Sequence, residues 1–142
     1  MKKYAFVLEP SDHAELSASS ADRWATCTAS PALARGLPNH TTAYAAQGTA
    51  GHHISALVLR SMQAGKAFDP RATFLGKYAL VEGHEIHLND KLIEAVEEYI
   101  ADCAADTQPG DTVFVEQSFH EALQRLHPKF GGSSDRVRWR PS

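Results

Sequence analysis

The sequence predicts an α+β fold in which about three helices pack on a small, mostly antiparallel sheet. From Asn89 to about Asp106, apolar residues recur at helical spacing along one stripe. Residues 78–88 form two short apolar runs around Glu82-Gly83, as in a β-hairpin. The run 112–119 is rich in the β-branched and aromatic residues that favour strands. Since 142 residues is the length of one domain, we expect these elements to share one core.

Two further helices are predicted before these elements. The first begins near Ser20 or Ala21, where serine hydroxyls suit an N-cap, and is interrupted near Pro31. The second runs over about 43–64 and ends at Gly65. Asn89 caps the third helix.

The remaining segments are predicted to be strands and loops. A short strand covers 4–8 and is closed by Pro10. Residues 66–76 are predicted to be a loop. The pair Gly131-Gly132 is expected to open a last strand over 135–139.

The net charge of −3 hides an asymmetry along the chain. Residues 82–116 carry ten acids and one base, whereas residues 118–142 carry five bases and two acids. One interpretation is a solvated acidic helix and a basic terminal strand. The other is a C-terminal segment that faces a polyanion such as nucleic acid.

Composition excludes several classes of protein. Cys27 and Cys103 are too few for a disulfide framework or a four-cysteine cluster, so no iron–sulfur cluster is expected. No run approaches the roughly 18 apolar residues of a membrane span, so no membrane partner is expected. The first apolar run ends at Glu9, which is too short for a signal peptide. We therefore expect a cytoplasmic protein.

Four local motifs combine residue types that carry chemistry. Each also has a purely structural interpretation: an amphipathic helix anchor, a packed histidine beside small residues, an exposed glutamate, and a turn aspartate. The two glycines of the second motif share a helix face, where another backbone or a ligand approaches closely. In chain order the motifs are Arg23-Trp24-Ala25-Thr26-Cys27, Gly48-Thr49-Ala50-Gly51-His52, Val115-Glu116-Gln117 and Phe130-Gly131-Gly132-Ser133-Ser134-Asp135.

In this order, the motifs and the acidic helix resemble the N-terminal half of the RecB-like PD-(D/E)XK nucleases, especially a phage- and prophage-associated branch. The resemblance covers about His13 to Trp139. It implies a restriction-endonuclease-like core and metal-dependent hydrolysis of DNA in a bacterial or phage-infected cell. It also implies that His52, Glu116 and Asp135 bind one or two Mg²⁺ or Mn²⁺ ions, with the imidazole favouring Mn²⁺.

DNA is the partner that the resemblance implies, and four residues are candidates to contact it. Strand alternation places Arg136, Arg138 and Arg140 on one face, opposite Asp135. Trp24 is a candidate for stacking on a base, but core or interface packing is the favoured interpretation of this tryptophan.

The sequence departs from the family's pattern at two points. The family's Asp/Glu-x-Lys signature belongs on the strand after Asp135, and no such tripeptide lies downstream of it. Ala56 stands where many relatives carry a glutamate four residues after the histidine. We therefore expect residues 1–142 to form a single, incomplete nuclease-like domain that is inactive alone.

Three hypotheses follow from these observations. The chain is the N-terminal portion of a phage-type nuclease, a non-catalytic module that binds nucleic acid or protein, or a small α+β interaction domain whose resemblance is accidental. If the resemblance holds, the sheet lacks its third core strand and keeps an unpaired edge. That edge predicts a homodimer or a contact with a protein partner.

Overall fold

A computed structural model describes residues 3–10, 14–38 and 41–141 of the chain. Its mixture of helices and short sheets confirms the predicted α+β class. The helices are α1 (Ala21–Thr26), α2 (Ser30–Ala34), α3 (Ala43–Gln63), α4 (Pro70–Phe74), α5 (Asp90–Asp106) and α6 (His120–Gln124). The strands are β1 (Val7–Leu8), β2 (Leu16–Ser17), β3 (Tyr78–Val81), β4 (His84–His87), β5 (Thr112–Ser118), β6 (Phe130–Gly131) and β7 (Ser133–Trp139).

The three predicted helices form close to their predicted bounds. α3 ends just before Gly65, whose φ of 68° lies in the left-handed region that favours glycine. α5 begins behind Asn89, whose side chain accepts a hydrogen bond from the Leu92 amide at 3.0 Å. The interrupted first helix forms as α1 and α2, with Pro31 in the first turn of α2. Within the described ranges, no helix is both long and apolar enough to cross a membrane.

The prediction of a loop over 66–76 is wrong, because this stretch contains α4. Asp69 caps the helix by accepting a backbone hydrogen bond at 3.0 Å, and Pro70 occupies its first turn. A capping aspartate followed by proline is itself a helix-start signal. Arg71 then ties α4 to two carboxylates on α5.

The strands form three small sheets in the described part of the chain, so the prediction of a single sheet is wrong. β1 lies parallel to β3, which pairs antiparallel with β4, and β2 lies parallel to β6. β5 and β7 form a longer antiparallel ladder of their own. Strand alternation specifies which face of a strand is buried but not which strand lies beside it. The alternation of side chains therefore could not show that the strands divide into three sheets.

The predicted hairpin forms around Glu82-Gly83. Both turn residues have positive φ, 49° and 82°, as a tight two-residue hairpin turn requires. The strand predicted over 4–8 is shorter, with only Val7–Leu8 paired as a strand.

The main core lies between α3, α5 and the sheet of β1, β3 and β4. One stripe of α3 recurs every four residues and packs into this core; it consists of Ala46, Ala50, Ile54 and Val58. Leu88, Ile93 and Val81 are among the largest fully buried side chains. The core fixes α3, so groups on its other sides, His52 among them, project from a rigid element.

We predict that Asn89→Ala lowers the free energy of unfolding by about 1 kcal/mol, because the Leu92 amide loses its cap. Urea unfolding measures the effect. Asn89→Asp is the matched control, since aspartate also caps, and it should change stability little. Equal effects of the two substitutions would contradict a capping role.

Candidate functional site

His52 and Asp135 lie in direct contact although they are far apart in the sequence. The Nδ1 atom of His52 is 2.9 Å from the Oδ2 atom of Asp135. Their side chains are 61% and 52% exposed, so the pair is open to solvent. α3 supplies the histidine and β7 supplies the aspartate. The structure thus brings together two of the three residues predicted to bind a metal.

Glu116, the third predicted ligand, lies on β5. The pairings of its neighbours with β7 put it opposite Asp135, but the local ladder is broken there. Its φ of 55° is unusual for any residue other than glycine and costs about 1–2 kcal/mol. In the described part of the chain, no three His, Cys, Asp or Glu side chains are grouped to hold a metal ion. Glu116 is therefore adjacent in register without completing a three-residue ligand set.

The glycine pair before Asp135 makes room for the protein itself. A Cβ atom on Gly131 would lie 2.4 Å from the His120 ring and 2.6 Å from the Ala14 Cβ atom. On Gly132 it would lie 3.2 Å from the Ala18 Cβ atom. α6 and the segment before β2 therefore fill the space at Gly131, so this glycine leaves no room there for a bound phosphate backbone. The sequence pattern predicted neither α6 nor β2.

A groove of about 430 Å³ lies between α3 and α5 and has His52 on its lining. Gly48 and Gly51 lie on its α3 side, and a Cβ atom on either would meet nothing within 4 Å. The glycines therefore leave open space beside α3, and the close approach of a ligand there stays a prediction. The other lining residues are Tyr44, Gln47, Ser55, Lys91, Leu92, Ala95, Val96 and Tyr99.

Tyr99 lines the groove, and its phenol has a raised pKa. Burial raises the pKa of its phenol to about 12, and the hydrogen bond with Cys103 and the charge of Asp135 act in the same direction. The phenol therefore stays protonated at neutral pH and offers a donor at the groove. Cys103 is buried, whereas Cys27 is exposed.

The three predicted nucleic-acid arginines are bound to the chain's own acids and carbonyl groups. Arg136 and Arg138 both form ion pairs with Asp106, the last residue of α5. Arg140 binds both oxygens of Asp111 at 2.8 and 2.9 Å. Their convergence on one corner confirms that the arginines share one strand face. Arg136 is only 12% exposed, so a DNA contact by these side chains stays a prediction that competes with existing bonds.

These arginines also donate hydrogen bonds to backbone carbonyl groups at the C-terminal end of α5. Arg138 donates to the Asp106 carbonyl oxygen at 2.6 Å, and Arg136 donates to the Cys103 carbonyl oxygen at 3.3 Å. The last carbonyl groups of a helix lack partners within the helix and carry its negative dipole end. Cations at this end of a helix are stabilising. Part of the basic C-terminal segment therefore stabilises the end of the acidic helix α5.

Trp24 packs within the protein. Its indole nitrogen donates to the Ser17 carbonyl oxygen at 3.0 Å, and its ring stacks on Phe130 with centroids 5.8 Å apart. The side chain is half-buried. This favours the packing interpretation, and base stacking by Trp24 stays a prediction.

Sequence reasoning missed several groups that shape this region. Ser55 and Lys91 line the groove, and Asp106 and Asp111 hold the arginines. The spacing of Gly48, Gly51 and Ser55 places all three on one helix face and was a usable signal. The acid–arginine pairing had no local signal, because its partners are about thirty residues apart.

We predict that Asp111→Asn reduces the loss of stability in acid. The bidentate Arg140 contact and the Gln108 amide hold the pKa of Asp111 well below its usual range. Its contribution is therefore complete above the unfolded pKa of about 3.9 and disappears as pH falls through the lower folded value. Unfolding measured between pH 6 and pH 2 should show a shallower slope in the variant. Asp102→Asn, at an exposed position on α5, should keep the wild-type slope; equal slopes in all three proteins would contradict the prediction.

We predict that Glu116→Gly raises the free energy of unfolding by up to about 1 kcal/mol, because glycine adopts positive φ without steric cost. Glu116→Gln keeps the strained backbone and should leave stability unchanged. Denaturant unfolding measures both. A glycine variant less stable than the glutamine variant would show that this position carries no strain.

Comparison with known proteins gives one family. Residues 13–140, most of the chain, match the family described as "Protein of unknown function (DUF2800)". No solved structure matches the chain. Because the match covers far more than half of its length, the chain belongs to the DUF2800 family.

Proposed function

We propose that this chain is the metal-binding, N-terminal portion of a phage-derived, RecB-like nuclease that hydrolyses DNA phosphodiester bonds. The observation that carries the proposal is the 2.9 Å contact between His52 and Asp135. These two residues come from separate motifs of the resemblance and from different elements. An accidental resemblance gives no reason for them to meet.

The donor atoms suit a divalent metal ion. Imidazole nitrogen and carboxylate oxygen both bind Mn²⁺, and the imidazole shifts preference away from Mg²⁺. Two neighbouring ligands of an octahedral ion, each about 2.1 Å from it, lie about 3 Å apart, close to the observed separation. Both side chains are more than half exposed, which leaves coordination positions for water and substrate. Glu116 lies opposite Asp135 in register but is not grouped with His52 and Asp135 in the described residues, so two side chains carry the proposal.

A bound divalent ion would lower the pKa of a water molecule and neutralise charge on the attacked phosphate. The protein's part is to hold Asp135 against His52 on two rigid elements. The family's signature also includes a lysine that orients or deprotonates water, and the given sequence has no Asp/Glu-x-Lys after Asp135. We therefore expect metal binding without DNA cleavage from this chain alone.

We predict that Mn²⁺ stabilises the chain through these two residues. At ten times its dissociation constant, the ion should add about 1.4 kcal/mol, or roughly 5 °C in Tm. Asp135→Asn and His52→Gln should each remove most of this shift. Differential scanning calorimetry with and without MnCl₂ measures it.

Asp102→Asn is the matched control, because it removes an exposed carboxylate from α5, and it should keep the Mn²⁺ shift. A shift that survives Asp135→Asn would place the ion elsewhere and remove the nuclease proposal's main support. DNA binding without any Mn²⁺ effect would favour the alternative, a non-catalytic nucleic-acid- or protein-binding α+β module.

A further inference from the structure

Ser55 is a buried polar side chain that faces the α3–α5 groove without a partner. It is only 7% exposed and makes no hydrogen bond with any described residue. In the same part of the chain, no fully enclosed side-chain polar atom lacks a partner. The Ser55 hydroxyl is therefore reached through the groove that it lines. Water can bond this hydroxyl in the open groove, and a polar group of a ligand bound there would take the place of that water.

The space beside Ser55 has the size of a small organic ligand. The groove volume of about 430 Å³ lies in the range of small-molecule sites. Gly48 and Gly51 keep it open, since a side chain at either position would project into empty space. Glycine inside a helix costs about 1 kcal/mol relative to alanine, and no described residue packs into the space it leaves.

The walls of the groove suit a flat, heteroaromatic ring. Tyr44 lies on the α3 side and is 86% exposed, and Tyr99 lies on the α5 side. Leu92 and Val96 add apolar surface, and the Gln47 amide offers both a donor and an acceptor. Bases stack on aromatic side chains, and their edges pair with amides and hydroxyls.

The groove lining differs in charge from the rest of α5. α5 carries six acids and one base, and the base, Lys91, is the charged residue that it contributes to the lining. None of the lining residues is acidic. An anionic ligand therefore meets a lysine rather than the carboxylates on the rest of α5.

We propose that the α3–α5 groove binds one unpaired nucleobase of a single DNA strand whose phosphate lies at His52 and Asp135. The inference rests on the proposed function and adds a substrate preference to it. His52 borders the groove and contacts Asp135, so base site and phosphate site are contiguous. A paired base cannot enter a space between two helices, so the groove selects single strands or frayed ends.

The test uses a fluorescently labelled pentathymidylate and the same oligonucleotide with abasic central positions. Fluorescence anisotropy with MnCl₂ should show at least tenfold weaker binding of the abasic probe. Gly51→Leu fills the groove and should weaken binding of the intact probe at least tenfold. This variant should then bind the intact and the abasic probes with equal affinity. Ser55→Ala should weaken it about three- to tenfold.

Ala45→Leu is the matched control, because it adds the same side chain to an exposed position of α3 outside the groove lining. It should change the affinity less than twofold. Leucine is a better helix former than glycine, so Gly51→Leu should melt no lower than wild type. Its Mn²⁺ shift in Tm should persist.

Equal affinity for the intact and abasic probes, or equal effects of the two leucine variants, would overturn the nucleobase site. Failure of the wild type to bind pentathymidylate while Mn²⁺ still raises its Tm would overturn this inference and leave the metal-binding proposal standing. Failure of both measurements would remove both proposals.

Discussion

The interaction on which the candidate site depends is the binding of β7 to the end of α5. Arg136 and Arg138 both form ion pairs with Asp106. Arg140 forms an ion pair with Asp111 in the turn that follows α5. The β5–β7 ladder has no hydrogen-bonded strand neighbour beyond its own two strands in the described ranges. These bonds and the bond from the Gln63 side chain to the Val113 carbonyl oxygen hold the ladder in place. The arginine bonds also satisfy the exposed carbonyl groups at the helix end.

The charge asymmetry of the chain acquires a structural role from this arrangement. An acidic segment and a basic segment, separated by only a short stretch of sequence, bind each other across the end of α5. The contact fixes the face of β7 that carries the arginines and leaves Asp135 directed elsewhere, to His52 on α3. Electrostatic pairing inside the chain thus supports a site whose own members are open to solvent.

The candidate site combines rigid and strained parts. α3 is held by the core, so His52 projects from a fixed helix, and the glycines on the neighbouring face leave the groove open. Glu116 carries the unusual backbone, opposite Asp135, and strained residues of this kind cluster at functional sites. The two proposals draw on separate features, the exposed His52–Asp135 contact for the metal and the Ser55 hydroxyl, which no described residue binds, for the base.

Local patterns were enough to predict α3 and α5 nearly to the residue, because caps, glycine stops and helical periodicity act over a few residues. The family resemblance, rather than these patterns, put His52 and Asp135 in one predicted site, together with Glu116. The local patterns did not show that Arg136 binds Asp106, that Glu116 takes a positive φ, or that Ser55 faces open space. Those outcomes depend on which elements lie side by side, and side-chain alternation leaves the neighbour of each strand and helix undetermined. Only the folded arrangement decides whether an arginine meets nucleic acid or a carboxylate of its own chain.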